Sequence, residues 1–480
     1  MRSAGDMTAA RSQGEATGVT SQVDTVAADG KSGASSPRIS RWLDENLGGA
    51  GFVRRSMRHI FPDHWSFFLG EIALYCFIIL IVTGIFLSLF FKASGDQVIY
   101  QGSYEPLRGT TMSGAYSSVL GITFDVRGGL LIRQIHHWAA LVFIGALLVH
   151  VCRMFFTGAY RRPRRANWLI GVTLLILVIA AGFTGYSAPD DLLSGTGLRI
   201  AFSILESIPL IGPWLAFLIF GGGFPSGAFV ARVFPLHIFV LPGLIAALLG
   251  LHLFMLWRQK HTVYRSGGGD DKTIVGTRLF PNYALRSAGY FFLVGGMLAA
   301  LGAFLQVNPV WLYGQYTPWS ATSAAQPDWY TGWLEGALRL FPAWDIHIGG
   351  FLLPAIFWPG VVLPLLLFGF LYYWPWLDVR ITKDRGFHNV LEGASDRPGR
   401  TALGAAILAA LAALFVAGGD DVIAVIFGGN FRTLVWVLRG CFLGLTPAVA
   451  LATYYLCRHR RRRAGNEKNT GPEAGTVPAP

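Results

Sequence analysis

The chain has 480 residues, of which 53% are hydrophobic and only 14% charged, and its mean hydropathy is +0.47. A water-soluble protein of this length carries more charge on its surface, so a soluble globular protein is excluded. The net charge of +12 does not point to nucleic acid, because the basic clusters recur on one side of a series of apolar runs.

Residues 1–37 are polar, rich in Gly, Ser, Ala and Thr, and are expected to form a disordered cytoplasmic tail with no cleavable signal. Residues 38–62 mix apolar and basic side chains and read as an interfacial amphipathic segment along the membrane surface. Eight apolar runs follow: Phe67–Phe91, Leu130–Phe156, Trp168–Tyr186, Phe234–Trp257, Ala288–Leu305, Phe351–Trp374, Thr401–Ala417 and Leu434–Leu456. Most reach the roughly 20 residues that a bilayer-crossing helix needs. The expected fold is therefore an all-α integral membrane protein with eight transmembrane helices. Residues 63–262 hold the first four, 263–457 the last four, and 458–480 a basic cytoplasmic tail.

Charge placement gives the orientation. Arg161–Arg165 follow the second run, Arg258, Lys260, Arg265, Lys272 and Arg278 the fourth, Arg380, Lys383 and Arg385 the sixth, and Arg458 with Arg460–Arg463 the eighth. Residues 307–350 hold only Arg339, and residues 419–431 hold no Lys or Arg. By the positive-inside rule both termini and the basic loops face the cytoplasm. Four scattered cysteines form neither a CxxC nor a CxxCH pattern, which leaves no disulfide framework and no attachment site for a covalent c-type haem.

The second run contains "RQIHHWAALVFIGALLVHVCR". His136 and His150 are 14 residues apart, which on a helix means about 21 Å of rise and about 40° of rotation. His137 is turned to nearly the opposite side and is expected to be solvated near the helix end. The fourth run places His237 and His252 15 apart, with Pro242 between them to absorb the mismatch by a kink. Two helices thus offer paired imidazoles at two depths, His136 with His237 near the outer face and His150 with His252 near the cytoplasm. Two axial imidazoles across a planar macrocycle describe a bis-histidine haem, here twice and non-covalent, so the first four spans are expected to form a dihaem four-helix bundle. Gly70 and Gly84 on the first run, and Gly171 and Gly185 on the third, share the 14-residue period and would let a flat ring approach the backbone. Arg133 and Arg153 lie three residues outside the ligands, where a guanidinium can meet a haem propionate.

With "LGEIALYCFIILIVTG", "IRQIHHW…LLVHVCR", "FTGYSAP", "LHIFVLP…GLH" and "QPDWY" in this order, the chain from about Pro62 to Leu456 resembles cytochrome b. Cytochrome b is the membrane core of quinol–cytochrome c reductases, and the likeness is greatest to the actinobacterial branch. The resemblance implies quinol oxidation at the outer face and passage of one electron through a low- and a high-potential haem to a quinone at the inner face. It also implies proton translocation by a Q-cycle. Menaquinone is the expected quinone. Partners would be a Rieske iron–sulfur subunit, a cytochrome c subunit, a terminal oxidase and a second copy of the complex, in a bacterial cell membrane.

The family's Pro-Glu-Trp-Tyr loop reads Pro327-Asp328-Trp329-Tyr330 here. Asp328 is the expected proton acceptor with Tyr330 beside it, and Glu335, seven residues on, is a second candidate. Tyr186 and Gly197 match residues that line the same quinol site. The chain departs from the family pattern at Asp190-Asp191, where tryptophan is common, and at Phe68, where a third haem would need cysteine. Trp257, Arg258, Lys260 and His261 fall in the region of the inner quinone site without defined roles. Two other readings use the same histidines: a dihaem membrane anchor of a dehydrogenase or hydrogenase, and a transporter with a histidine proton relay. The first leaves the second half unexplained. The second lacks polar residues between the histidines.

Overall fold

A computed structural model describes residue 42 and residues 56–268, 270–320 and 326–469. The expected tail at 1–37 and most of the surface segment at 38–62 lie outside the described residues, as do residues 470–480.

Among the described residues, eight helices are long and apolar enough to cross a membrane. They run Trp65–Ser88, Gly129–Phe156, Arg165–Ser187, Ala228–Gln259, Leu279–Phe304, Trp358–Thr382, Pro398–Gly418 and Phe431–Ala464, and are called spans 1 to 8 below. Their outer surfaces stay apolar: Val82 is 65% exposed, Phe292 74% and Leu443 71%. Such a surface is costly in water and suited to lipid, where each helix satisfies its own backbone polar groups.

Span 1 packs along span 2 and span 4 along span 3, while spans 2 and 3 touch each other. The core between them is built from Ala73, Cys76, Ala139, Phe143, Ile144, Leu174 and Val178, and Leu298 of span 5 joins it. Span 5 ends against span 2 through polar contacts. The Gln134 amide donates to Val307 O at 2.9 Å and accepts from Val307 N at 2.8 Å, and Trp138 Nε1 donates to Leu305 O at 2.7 Å. Gln134 is fully buried, so this two-way bond fixes where the segment after span 5 begins.

On the basic side, a second set of contacts ties the halves together. Glu392 accepts from Arg161 at 2.8 Å and from Arg400 at 2.6 Å, and Arg164 donates to His388 O and Asn389 Oδ1. Arg161 and Arg164, which the charge count assigns to a cytoplasmic surface, are 7% and 3% exposed and act as a buried clasp.

Boundaries differ from the sequence reading in several places. The apolar run from Phe351 does not begin a helix. Ile346–Ile348 and Phe351–Leu353 pair as an antiparallel hairpin across Gly349-Gly350, and span 6 begins only at Trp358, after Pro354. A short apolar stretch between a glycine turn and a proline reads equally as strand. At the end of the expected surface segment, Ile60–Phe61 pairs as a short antiparallel strand with Thr277–Arg278. At the chain's end, the helix that forms span 8 continues to Asn469, so Arg458–Arg463 extend it instead of opening a tail; arginine is a good helix former.

Span 4 takes up the extra residue just before Pro242. It contains a wide π turn over Leu236–Val240, where Leu241 N bonds to Leu236 O. Pro242 has no N–H to continue the normal ladder, and the wide turn takes up one extra residue. That residue is the difference between the 14-residue spacing of span 2 and the 15-residue spacing of span 4.

Candidate haem and quinol sites

The four histidines lie in two layers, each lined by the glycines that share their period. A Cβ on Gly84 would meet His136 Cε1 at 3.2 Å, and one on Gly185 would meet His237 Cε1 at 2.6 Å. In the second layer a Cβ on Gly70 would meet His150 at 3.5 Å, and one on Gly171 would meet His252 at 3.6 Å. Each imidazole therefore has its own glycine on the neighbouring helix.

In the first layer the rings of His136 and His237 face each other with centroids 6.4 Å apart and planes at 73°. Two imidazoles bound to one metal from opposite sides, at about 2 Å per nitrogen, place their centroids roughly 6 Å apart. Thr83 Oγ1 donates to Ile79 O at 2.7 Å and lies 2.9 Å from His136 Nδ1. Thr184 repeats this, donating to Ala180 O at 2.9 Å and lying 3.1 Å from His237 Nδ1. A hydroxyl that already donates its proton can only accept from the ring, so Nδ1 carries the hydrogen and Nε2 keeps its lone pair. That is the tautomer a metal ligand needs. Each threonine directly precedes its glycine and stands 53 residues before its histidine, a repeated Thr-Gly signal that the sequence reading missed.

In the second layer, Nδ1 of His150 and of His252 is buried with no hydrogen bond of ordinary geometry among the described residues. The arginines behave likewise. Arg133 Nε and Nη2 are buried without partners among the described residues, and so is Arg153 Nε, although the Arg153 guanidinium stacks 4.2 Å over Phe67. Buried cationic nitrogens of this kind suit carboxylates such as haem propionates. The glycine cradles, the tautomers and the orphaned guanidinium atoms all fit a pair of b-type haems. Changing Thr184 to Val should lower occupancy of the His136–His237 layer by about 10–100-fold in haem affinity. Haem per chain after dilution and gel filtration measures this, and full occupancy would count against the orienting role.

His137 corrects an expectation. It is not solvated at the helix end: its side chain is 16% exposed and its Nε2 donates to Asp328 Oδ1 at 2.7 Å. The residue on the far side of the haem-facing stripe thus holds the Pro327–Tyr330 loop. Asp328, 8% exposed, also receives Asn308 Nδ2 at 3.4 Å. Its side chain makes no capping bond to the short helix it precedes, so that structural role is ruled out. Trp329 packs toward Gly145 of span 2. The Tyr330 hydroxyl packs so closely on Gly182 of span 3 that a Cβ there would meet it at 2.8 Å. Burial, and then the neighbouring Asp328, push the Tyr330 hydroxyl well above its usual titration range.

Tyr186 and Gly197 come together, since a Cβ on Gly197 would meet Tyr186 Cε1 at 3.5 Å. Gly197 lies on the helix Leu192–Glu206, which Asp191 caps by accepting from Leu193 N at 3.3 Å and Ser194 Oγ at 2.6 Å. The second aspartate of the departing Asp190-Asp191 pair is therefore a helix cap, and burial pushes its carboxyl up to about 6. One turn beyond Gly197, Ile200 lines a cavity of about 350 Å³ with Glu335, Leu338, Phe341, Ile356 and Pro359. Glu335 is on the helix Gly332–Leu340 and pairs with Arg339 at 2.5 Å. Asp328 and Glu335 share no partner. The first is bound to span 2 and the second faces the cavity.

Around the expected inner quinone region, Trp257 stacks on His59 at 4.3 Å and His261 lies 4.5 Å from Phe61. Burial, then His59, Arg164 and Arg153, push His261 down to about 3, so it is neutral. The geometry gives Arg258 and Lys260 no defined role there.

Comparison with known proteins places this arrangement. The family model described as cytochrome b (N-terminal)/b6/petB matches residues 141–315. The cytochrome bc1 complex cytochrome b subunit of Streptomyces coelicolor is 44% identical over 92% of this chain and 81% of its own length. Those of Corynebacterium efficiens and Mycobacterium tuberculosis are also 44% identical, over 91% of this chain and 80% and 79% of theirs. A solved chain of a hyperthermophilic respiratory complex III shares the fold, with a TM-score of 0.64 over 86% of this chain and 99% of that one, at 20% identity. Identity at this level over nine-tenths of the chain decides the matter: the chain belongs to the cytochrome b subunits of cytochrome bc1 complexes, in their actinobacterial branch.

Proposed function

We propose that this cytochrome b oxidises menaquinol at the outer face of a bacterial cell membrane and returns one of the two electrons to a quinone at the inner face, moving protons by a Q-cycle. His136 and His237 would hold the outer, low-potential haem, and His150 and His252 the inner, high-potential one. Gly70, Gly84, Gly171 and Gly185 would give the rings room, and Arg133 and Arg153 would hold the propionates. When bound, the two haems supply one-electron carriage from one side of the membrane to the other.

The chain's own residues handle the protons and the substrate's position. Asp328, steadied by His137, accepts one quinol proton, and Glu335, facing the cavity, accepts the other. Pro327 and Trp329 shape the loop, while Tyr186, Gly197 and Tyr330 bound the pocket. With the basic loops inside, both termini are cytoplasmic. Partners are a Rieske subunit and a cytochrome c subunit, with a terminal oxidase beyond them and a homodimeric complex. Residues 63–262 form the haem-bearing unit and residues 263–457 carry the quinol loop.

The observation that carries the reading is the bond from His137, the neighbour of a ligand histidine, to Asp328, 191 residues away. It supports the reading because it joins the loop that carries Asp328 to the neighbour of His136 on span 2. Vesicles containing the purified complex test it: menaquinol should reduce cytochrome c and release protons outside. Turnover without proton release would remove the coupling, and no turnover with any quinol would remove the reading.

A further inference from the structure

Around Arg339, three carboxylates meet one guanidinium. Glu335 is bonded at 2.5 Å and Asp421 at 3.0 Å, and Asp420 also binds Arg339 directly. Asp420 and Asp421 open the helix Asp420–Phe427, whose N-terminal dipole favours negative charge. Asp420 is fully buried, and its Oδ2 has no partner among the described residues; Glu335 Oε2 is in the same position. Asp421, by contrast, is a quarter exposed and accepts from Gln326 Nε2 at 2.7 Å. Arg439 of span 8 donates to Leu340 O at 2.8 Å, at the end of the helix that carries Glu335 and Arg339.

Three carboxylates around the Arg339 guanidinium crowd negative charge into a largely buried site, where an ionised carboxylate is costly. Burial raises the Glu335 carboxyl, partly offset by Arg339 and reinforced by Asp421 and Asp420. The cluster therefore runs from a cavity wall (Glu335), through a group sealed from water (Asp420), to one that touches it (Asp421). Arg339 can lean toward whichever carboxylates are ionised.

We propose that the proton Glu335 takes from quinol leaves the site through this cluster, with Asp420 as the buried relay and Asp421 as the exit. This rests on quinol oxidation at the Glu335 cavity. The quinol O–H bond breaks and its proton goes to Glu335. One electron would leave by way of the two haems and the other to the Rieske iron–sulfur subunit, and the proton passes to Asp420, then Asp421, then water. Asp420 touches no substrate and acts through Glu335, so it is a positioning and relay residue.

The test uses the whole purified complex with Asp420→Asn, assayed as menaquinol:cytochrome c turnover across pH. The expected result is a kcat lowered by about tenfold or more in acidic buffer with KM unchanged. The loss should shrink in alkaline buffer and be partly reversed by added formate, a small acid that can replace the relay. A loss independent of pH and of formate, or wild-type turnover, would overturn the relay. Should Asp420→Asn fail to assemble with its haems, Asp421→Asn stands in for it under the same criteria. Glu335→Gln separates the two claims. Wild-type turnover there removes quinol oxidation at this cavity, whereas slow turnover there with a wild-type Asp420→Asn removes the relay alone.

Discussion

Leucine in place of His136 is expected to remove one of the two b-type haems proposed for the chain and to bring quinol-driven cytochrome c reduction to background. Leucine fills a similar volume in an apolar interior, so packing survives. What is lost is one axial bond and the partner of Thr83, whose hydroxyl keeps its bond to Ile79 O. An iron held by His237 alone is gripped from one side, and the layer empties. The His150–His252 layer lies about 21 Å along the helix and should keep its haem, so roughly half the b-type absorbance remains. The neighbouring residue is the control. His137→Leu should keep both haems, because its ring is turned to Asp328 and not to the glycine cradle. Haem per chain by alkaline pyridine spectrum reads both variants. Two haems in His136→Leu, or a missing haem in His137→Leu, would reverse the assignment of the histidine pair.

These two adjacent histidines also show what a sequence can and cannot reveal. The stripe that carries His136 and His150 on one face of span 2 is legible because a helix converts spacing into direction, and the glycines repeat the same number. The role of His137 is not legible, because its partner is 191 residues away and no local pattern joins a span to a distant loop. The Arg339 cluster is hidden for the same reason, its bond to Asp420 crossing 81 residues. The π turn at Leu236–Val240 was half visible: a 15-residue spacing and Pro242 announced an irregularity, but not whether the helix would bend or widen. The hairpin at Ile346–Leu353 went unseen because apolar composition outweighed the paired glycines. Local periodicity thus carried the eight helices and the histidine stripe, and tertiary contact supplied the partners of Asp328 and Glu335.

Asparagine in place of Asp328 should lower quinol turnover by about 10²–10⁴-fold, the usual contribution of a positioned general base. The substitution is nearly isosteric, and an amide oxygen can still accept the His137 bond, so the loop should stay where it is. Both haems should remain, because Asp328 touches neither cradle. The loss should fall on kcat, since an uncharged amide can hold a quinol hydroxyl but cannot take its proton. Glutamate at the same position restores the acid that the family's loop usually carries. Its extra methylene must fit beside His137 in a site only 8% exposed, so activity should return in part, within about tenfold of the native enzyme. Stopped-flow reduction of the b haems by menaquinol separates this from a structural defect. A slow first turnover with normal haem content locates the fault in proton acceptance. An Asp328→Asn enzyme that reduces its haems at the native rate would instead pass the role to Glu335, and the His137 bond would then serve only to anchor the loop.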